Sequence, residues 1–264
     1  MRQQIPNFFT LCNLFFGCCA ILSWLNGPPE LAAWFTLGSF LCDYIDGMIA
    51  RALRVSSPMG RELDSLADVV SFGVVPGMML YTMLSGIYCE PLSVGFTYYP
   101  PLSALPQANA PGEASGYLPF CTTALPAFVL SMFSAYRLAK FNLDVRQKNY
   151  FIGLSTPACT LFVLGLALAV HDNQLGIGDL IQRMPWLLYL VTGLFSFLLV
   201  SEIPMFPLKF RSFRWEGNKL PYIFLVFGLT SLIVLKGIGL SVLIVFYILL
   251  SIFFKNRIIA SAKP

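Results

Sequence analysis

The chain has 264 residues, of which 57% are hydrophobic and 11% charged, with a formal net charge of +4 and a mean hydropathy of +0.73. This balance excludes an ordinary soluble globular domain. We therefore predict an all-α integral membrane protein embedded in the lipid bilayer. We expect no nucleic acid partner.

Apolar runs of about 18 to 25 residues can cross the ~30 Å hydrocarbon core as helices, and the chain contains eight candidates. We read the first as a retained helix, because no clear small-x-small cleavage site follows it. The predicted spans are residues 7–26, 31–53, 61–86, 117–139, 152–171, 185–201, 220–235 and 238–255.

The basic residues indicate the orientation of these spans. An even number of spans places both termini on one side, and cytoplasmic loops retain the Lys and Arg residues. With the termini inside, only Arg183 and Lys236 of the 17 basic residues fall outside. The sequence therefore predicts a multi-pass protein of the cytoplasmic membrane.

Two loops have distinctive compositions. Residues 87–117 contain five Pro and no Lys or Arg, which is typical of an external loop. Cys89 and Cys121 lie near its ends and either pair in an oxidising compartment or stay free, like small apolar residues. The cytoplasmic loop 201–219 interleaves basic and aromatic residues, which suits contact with anionic lipid or an ordinary positive-inside loop.

Five of the 13 acidic residues fall between positions 43 and 68, at the junction of the second and third spans. At about 100° per residue, two faces collect polar and small side chains. The second span carries Asp43, Asp46, Gly47 and Ala50 on one face. The third carries Gly60, Asp64, Asp68 and Ser71, whereas Glu62 points the opposite way.

Four ionised carboxylates at membrane depth repel one another and cost several kcal/mol each unless cations join them. Arg51 and Arg54 neutralise part of this charge but are too few for four carboxylates. All-oxygen ligands favour Mg²⁺, Mn²⁺ or Ca²⁺. The small residues beside the acids either admit a bulky group or simply allow close helix packing. Divalent metal with arginines at the lipid interface is an arrangement that handles phosphate.

The spacing of this cluster resembles the signature of the CDP-alcohol phosphatidyltransferases without departure. The matching positions are Asp43, Asp46, Gly47, Ala50, Arg51, Gly60, Asp64 and Asp68. Within the family, the stretches IPNFFTLCNLFFGCCAI, DSLADVVSFGVVPG, AYRLAKFN and GLSTPA look most like the membrane-bound phosphatidylserine synthases. The resemblance covers residues 40–77 closely and the first six spans loosely.

The resemblance implies two divalent cations, Mg²⁺ or Mn²⁺, on Asp43, Asp46, Asp64 and Asp68, with Asp68 as the base that activates an acceptor hydroxyl. It also implies that CDP-diacylglycerol approaches Gly47, Ala50 and Gly60. Arg51 and Arg54 are expected beside its phosphates or an acidic neighbour. For L-serine, the candidates are Arg137, Lys140, Asn142 and Ser71, with Thr156 as a further donor. Arg137 and Lys140 equally suit positive-inside anchoring.

The implied reaction gives phosphatidylserine and CMP at the cytoplasmic face. Glycerol 3-phosphate or inositol as acceptor is the main alternative, and a divalent-cation transporter is the alternative of a different class. His171, predicted at the outer face, is not expected to act as the base. The resemblance also implies a six-span core over residues 1–219, two further helices over 220–264, and a homodimer.

Overall fold

The computed structural model describes residues 4–55, 57–89, 121–143, 151–205 and 219–254. These residues are helical apart from short connections and one pair of two-residue strands, which confirms the all-α prediction. They group into two compact units, divided between Phe128 and Val129. The predicted boundary between a core and a C-terminal helix pair at residue 219 stays a prediction.

In the part of the first unit that the structure describes, there are three long helical segments and a short one. Its elements are α1 (Gln4–Asn26), α2 (Pro29–Leu53), α3 (Pro58–Val69), a π-helical turn (Val70–Val74), α4 (Val75–Tyr88) and a 3₁₀ segment (Thr122–Phe128). A short connection joins α2 to α3, because Arg54 ends α2 in the left-handed region at φ 52° and Ser57 caps α3. The Gly60 amide donates to Ser57 Oγ at 2.9 Å. The last turns of α2 therefore lead directly into the first turns of α3.

The third predicted span is not a regular helix throughout. Pro76 has no amide hydrogen, and in an α-helix its ring clashes with the carbonyl four residues earlier. The chain adopts the π-helical turn instead, and the Val75 amide donates to the Val70 carbonyl. This turn begins two residues after Asp68, so the helix register changes immediately beyond the last acid of the cluster.

The far end of α4 is tied to the 3₁₀ segment by a disulfide between Cys89 and Cys121, whose Cα atoms are 5.9 Å apart. The Cys121 amide also donates to the Tyr81 hydroxyl at 3.0 Å. The Tyr81 ring stacks on Phe128, with 5.3 Å between centroids. The structure thus selects pairing from the two alternatives that the sequence left open for these cysteines.

Within the described residues, the second unit contains five α-helices and the strand pair. Its elements are α5 (Val129–Leu143), β1 (Phe151–Ile152), α6 (Thr156–His171), a 3₁₀ turn (Gln174–Gly176), α7 (Ile177–Arg183), α8 (Trp186–Val200), β2 (Pro204–Met205) and α9 (Lys219–Phe253). β1 pairs antiparallel with β2, so the segments before α6 and after α8 lie side by side. Two-residue strands are too short to give a sequence pattern.

α9 consists of two arms that join at Lys236, where the backbone leaves the helical region. Phe227 of the first arm stacks on Phe246 of the second, with 4.0 Å between ring centroids. The Ser231 hydroxyl donates to the Gly239 carbonyl at 3.1 Å. These contacts hold the two arms, which correspond to the last two predicted spans, against each other as a tight hairpin.

Three helical stretches are long and apolar enough to cross a membrane: Gln4–Asn26, Pro58–Tyr88 and Ile223–Phe253. A fourth candidate is Thr156–His171 together with Gln174–Arg183, two helices bent by 103°. α8 is apolar but has only 15 residues, about 22 Å of helix. Among the described residues, length and composition therefore support a helical membrane protein with three or four spans, and the predicted number of eight stays a prediction.

Candidate functional site

The acids of α2 and α3 converge on one point of the first unit. Asp43, Asp64 and Asp68 each offer a carboxylate oxygen, and these oxygens all lie within 4.8 Å of one another. Asp43 comes from α2 and the other two from α3, one turn apart. Glu62 is exposed, in agreement with its predicted outward direction. Three of the four predicted ligands thus form a triad.

Asp46, the fourth predicted ligand, is not part of that triad. Its side chain is buried, and the Thr10 hydroxyl of α1 donates to its Oδ2 at 2.7 Å. Asp46 and Asp64 both line a cavity of ≈ 160 Å³ next to the triad. Asp46 therefore faces the cavity and Asp64 belongs to both the cavity and the triad.

The triad has the chemistry of a divalent-cation site. Oδ1 of Asp64 is buried and accepts no hydrogen bond from the described residues. Within the same ranges, no salt bridge joins an arginine to any of the three carboxylates. Converging carboxylates without cationic partners repel each other, and oxygen-only donors are those that Mg²⁺ and Mn²⁺ prefer. These residues fit such an ion.

The predicted small residues line the cavity beside the acids. Gly47, Ala50 and Gly60 all belong to its wall. A Cβ built on Gly47 meets only Arg51 Nη2, at 3.9 Å, whereas one on Gly60 lies 3.0 Å from Ser57 Oγ and 3.1 Å from the Asn7 side chain. Position 47 therefore opens into free space, and position 60 is closely packed.

The arginines divide between the cavity wall and the solvent. Arg61 lines the cavity, although it was not among the predicted binding residues. Arg51 is exposed and reaches towards Gly47. Arg54 is exposed at the end of α2 and is not part of the wall. Arg61 is thus a cationic side chain of the wall, and Arg51 lies beside the wall at Gly47.

α1 contributes polar residues that sequence analysis missed. Asn7 and Thr10 line the cavity, and the Asn13 side-chain amide donates to Asp68 Oδ1 at 3.1 Å. These three residues recur every third position in an otherwise apolar helix, so they lie on one stripe. The three-residue spacing of these polar side chains is the sequence signal that could have identified them.

The predicted serine-binding residues lie in both units. Arg137 is buried on α5 and, with Lys140, lines a small cavity that also includes Ile152. Asn142 is exposed near the end of α5. Ser71, in the first unit, is buried and donates to the Asn13 carbonyl at 3.1 Å. Their assignment to serine stays a prediction.

Several known proteins are similar to this chain over most of its length. Residues 3–101 match the family model described as CDP-alcohol phosphatidyltransferase. A CDP-diacylglycerol–serine O-phosphatidyltransferase of Bacillus subtilis is 31% identical over 80% of this chain and 92% of its own length. A protein of the same name from Helicobacter pylori is 29% identical over 94% of this chain and 89% of its own. One from Saccharomyces cerevisiae is 31% identical over 64% and 55%, respectively. The chain belongs to the CDP-alcohol phosphatidyltransferase family.

Proposed function

We propose that this protein transfers the phosphatidyl group of CDP-diacylglycerol to the hydroxyl of L-serine, giving phosphatidylserine and CMP. The observation that carries the proposal is the convergence of Asp43, Asp64 and Asp68 beside a cavity lined by Gly47 and Gly60. The names of the relatives support serine as the acceptor.

Two divalent cations, Mg²⁺ or Mn²⁺, would be held by Asp43, Asp46, Asp64 and Asp68. When bound, such ions neutralise the charge of a diphosphate and stabilise the attacking and leaving oxygens. The buried Oδ1 of Asp64, which accepts no hydrogen bond from the described residues, supports this assignment.

Asp68 is the base of the proposed reaction. It accepts the proton of the serine hydroxyl while the hydroxyl oxygen forms a bond to the phosphorus of the phosphatidyl group. The bond from that phosphorus to the oxygen shared with CMP breaks, and CMP leaves with this oxygen. Aligning these atoms is the main task of the protein, since phosphoryl transfer needs little covalent help.

The cavity between α1, α2 and α3 would receive the CDP part of the donor. Gly47 and Ala50 have little or no side chain on the cavity wall, so the nucleotide can approach the α2 backbone there. Arg51 and Arg61 reach this wall and pair with phosphate oxygens, and Arg54 stands further out for the lipid-side phosphate.

Serine is assigned to Arg137, Lys140, Asn142 and Ser71. The guanidinium of Arg137 offers two parallel donors to the serine carboxylate, and Lys140 and Asn142 supply charge and hydrogen bonds. Ser71, whose hydroxyl donates to the Asn13 carbonyl, offers only its oxygen as an acceptor. The reaction is placed at the cytoplasmic face of the cell membrane because the positive-inside pattern puts the acidic ends of the spans there. A homodimer is proposed from the family resemblance alone.

The test is CMP release by the purified protein with CDP-diacylglycerol and Mn²⁺ or Mg²⁺. L-serine, glycerol 3-phosphate, inositol and no acceptor are compared in parallel. Release that requires L-serine supports the proposal. Release with another alcohol overturns the acceptor, and no release with any acceptor overturns the enzymatic assignment.

Matched variants of α3 test the site itself. Asp68→Asn removes the proposed base and is expected to lower turnover by about 10²- to 10⁴-fold, and Asp64→Asn is expected to weaken Mn²⁺ binding. Glu62→Gln removes an exposed acid from the same helix and is expected to change neither quantity. Equal losses in Glu62→Gln and Asp64→Asn would contradict the assignment of the triad.

A further inference from the structure

Asn13 is a fully buried polar residue at the centre of the first unit. Its relative exposure is 0%, although it lies in a helix that is otherwise mainly apolar. Burying an amide without hydrogen-bond partners costs several kcal/mol. The hydrogen bonds of the Asn13 side chain therefore explain why an amide is tolerated at this buried position. All of those bonds lead towards the acidic segments.

The bonds fix the direction of the Asn13 amide. Its nitrogen donates to Asp68 Oδ1 at 3.1 Å, and its oxygen accepts a hydrogen bond from the Ser39 hydroxyl. Since a carboxylate only accepts and a hydroxyl can donate, the two ends of the amide are not interchangeable here. The Asp68 carboxylate therefore determines which end of Asn13 faces it, and the Ser39 hydroxyl donates to the other end.

The backbone of the same residue adds a further connection. The Asn13 carbonyl accepts from the Ser71 hydroxyl at 3.1 Å. Ser39 stands one turn before Asp43 on α2, and Ser71 stands three residues after Asp68. Asn13 thus joins both acid-bearing segments at positions one turn from their carboxylates, and both serines are at most 1% exposed.

We propose that Asn13 is a positioning residue, which holds the Asp68 carboxylate in the orientation needed within the acidic triad and is itself held in place by a hydrogen bond from Ser39. The inference rests on the proposed function, since it assigns Asn13 a task in that reaction. Asn13 acts through Asp68 and touches neither substrate.

Close packing alone does not require these groups. Leu has the same number and branching of side-chain heavy atoms as Asn and would occupy this position without hydrogen bonds. Removing the amide leaves Asp68 Oδ1 without this donor and leaves the carboxylate free to rotate. Loss of a partner that orients a metal-binding carboxylate typically costs about 10- to 100-fold in metal affinity or activity.

The test uses the full-length protein with Asn13→Leu, Ser39→Ala and the double variant. Thr36→Val is the matched control, because Thr36 is buried one turn from Ser39 on α2 but donates only to its own helix, at Ala32 O. For each variant, kcat and the KM for CDP-diacylglycerol are measured, and Mn²⁺ affinity is obtained from the electron paramagnetic resonance signal of free Mn²⁺.

We expect Asn13→Leu to lower kcat or Mn²⁺ affinity by about 10- to 100-fold, with the KM for CDP-diacylglycerol changed less than threefold. Ser39→Ala is expected to produce a smaller loss of the same kind and serves if Asn13→Leu fails to fold. The double variant should be no worse than Asn13→Leu, because Ser39 acts through Asn13. Thr36→Val should match the wild type.

Near-normal kcat and Mn²⁺ affinity in Asn13→Leu would overturn the positioning role, as would losses that multiply in the double variant. If the wild type binds Mn²⁺ but releases no CMP with any acceptor, the proposed function fails, and the Mn²⁺ affinities still decide whether Asn13 orients Asp68. A wild type that neither binds Mn²⁺ nor releases CMP would overturn both.

Discussion

The Thr10 hydroxyl donates a 2.7 Å hydrogen bond to Oδ2 of Asp46, so α1 contacts the acid of the signature that lies outside the triad. A hydrogen bond to a charged group contributes about 1.5–3 kcal/mol. Because Asp46 also lines the cavity, the orientation of its carboxylate depends on α1 as well as on α2.

We predict that Thr10→Val lowers kcat/KM for CDP-diacylglycerol by at least about tenfold, since each 1.4 kcal/mol corresponds to a factor of ten. The substitution keeps the shape of the side chain and removes its donor. Thr192→Val is the control, because Thr192 is equally buried but bonds only to Leu188 O of its own helix. Steady-state CMP release measures both, and similar losses would show a general effect of losing a buried hydroxyl.

A second prediction uses the free space beside Gly47. A Cβ there meets only the Arg51 guanidinium, at 3.9 Å, and one on Gly193 in α8 meets nothing within 4 Å. Both glycines are inside helices, where Ala is favoured over Gly by about 1 kcal/mol. Gly47→Ala and Gly193→Ala should therefore both preserve or raise the melting temperature.

The two variants should differ in substrate binding. The added methyl group at position 47 protrudes into the cavity and displaces the bound donor. Because a displacement of about 1 Å can cost a large factor in activity, Gly47→Ala is expected to raise the KM for CDP-diacylglycerol about tenfold or more. Gly193→Ala should leave KM unchanged. An unchanged KM in Gly47→Ala would remove this cavity from the donor site.

The positions of the acids could be predicted from the sequence because carboxylates are rare in apolar helices and their spacing is directly readable. Helical periodicity predicts that Asp43, Asp64 and Asp68 face one space, and their carboxylate oxygens do converge in the structure. It could not separate Asp46 from them, because helical periodicity gives the face of one helix and not its rotation relative to a neighbour. The Thr10 contact, which comes from a third helix, makes that difference.

Other features depended on tertiary packing. The π-helical turn before Pro76 arises from a backbone conflict whose resolution the sequence did not specify. The role of Asn13 required knowing that α1 packs against both acid-bearing segments. The stripe Asn7, Thr10 and Asn13 was visible, but a polar stripe in an apolar helix does not name its partner.

The disulfide leads to a third prediction. Cys89 and Cys121 are 32 residues apart, and closing a loop of that length stabilises a fold by about 3–4 kcal/mol in the chain-entropy model. The Cys89→Ser/Cys121→Ser double variant should melt at a lower temperature in detergent. Its turnover at low temperature should be close to that of the wild type, because neither cysteine belongs to the cavity or the triad.

The same pair tests the orientation in the membrane. In sealed right-side-out vesicles, a membrane-impermeant maleimide should label the wild type only after reduction, and the double variant provides the background from the free cysteines. Labelling that instead requires inverted vesicles would place the disulfide inside and the active site outside, against the predicted topology.

The last prediction concerns Lys236, at the turn of the α9 hairpin. Its backbone angles, φ 50° and ψ −126°, are close to those of the first central residue of a type II′ turn, where Gly is strongly favoured. A residue with a side chain in such a region costs about 1–3 kcal/mol. Lys236→Gly should relieve this strain and raise the melting temperature by about 2–4 °C, even after the entropic cost of glycine in the unfolded chain. Lys236→Ala removes the same charge but keeps a Cβ, so it should not be stabilised. Equal melting temperatures of the two variants would show that backbone strain at this position does not limit stability.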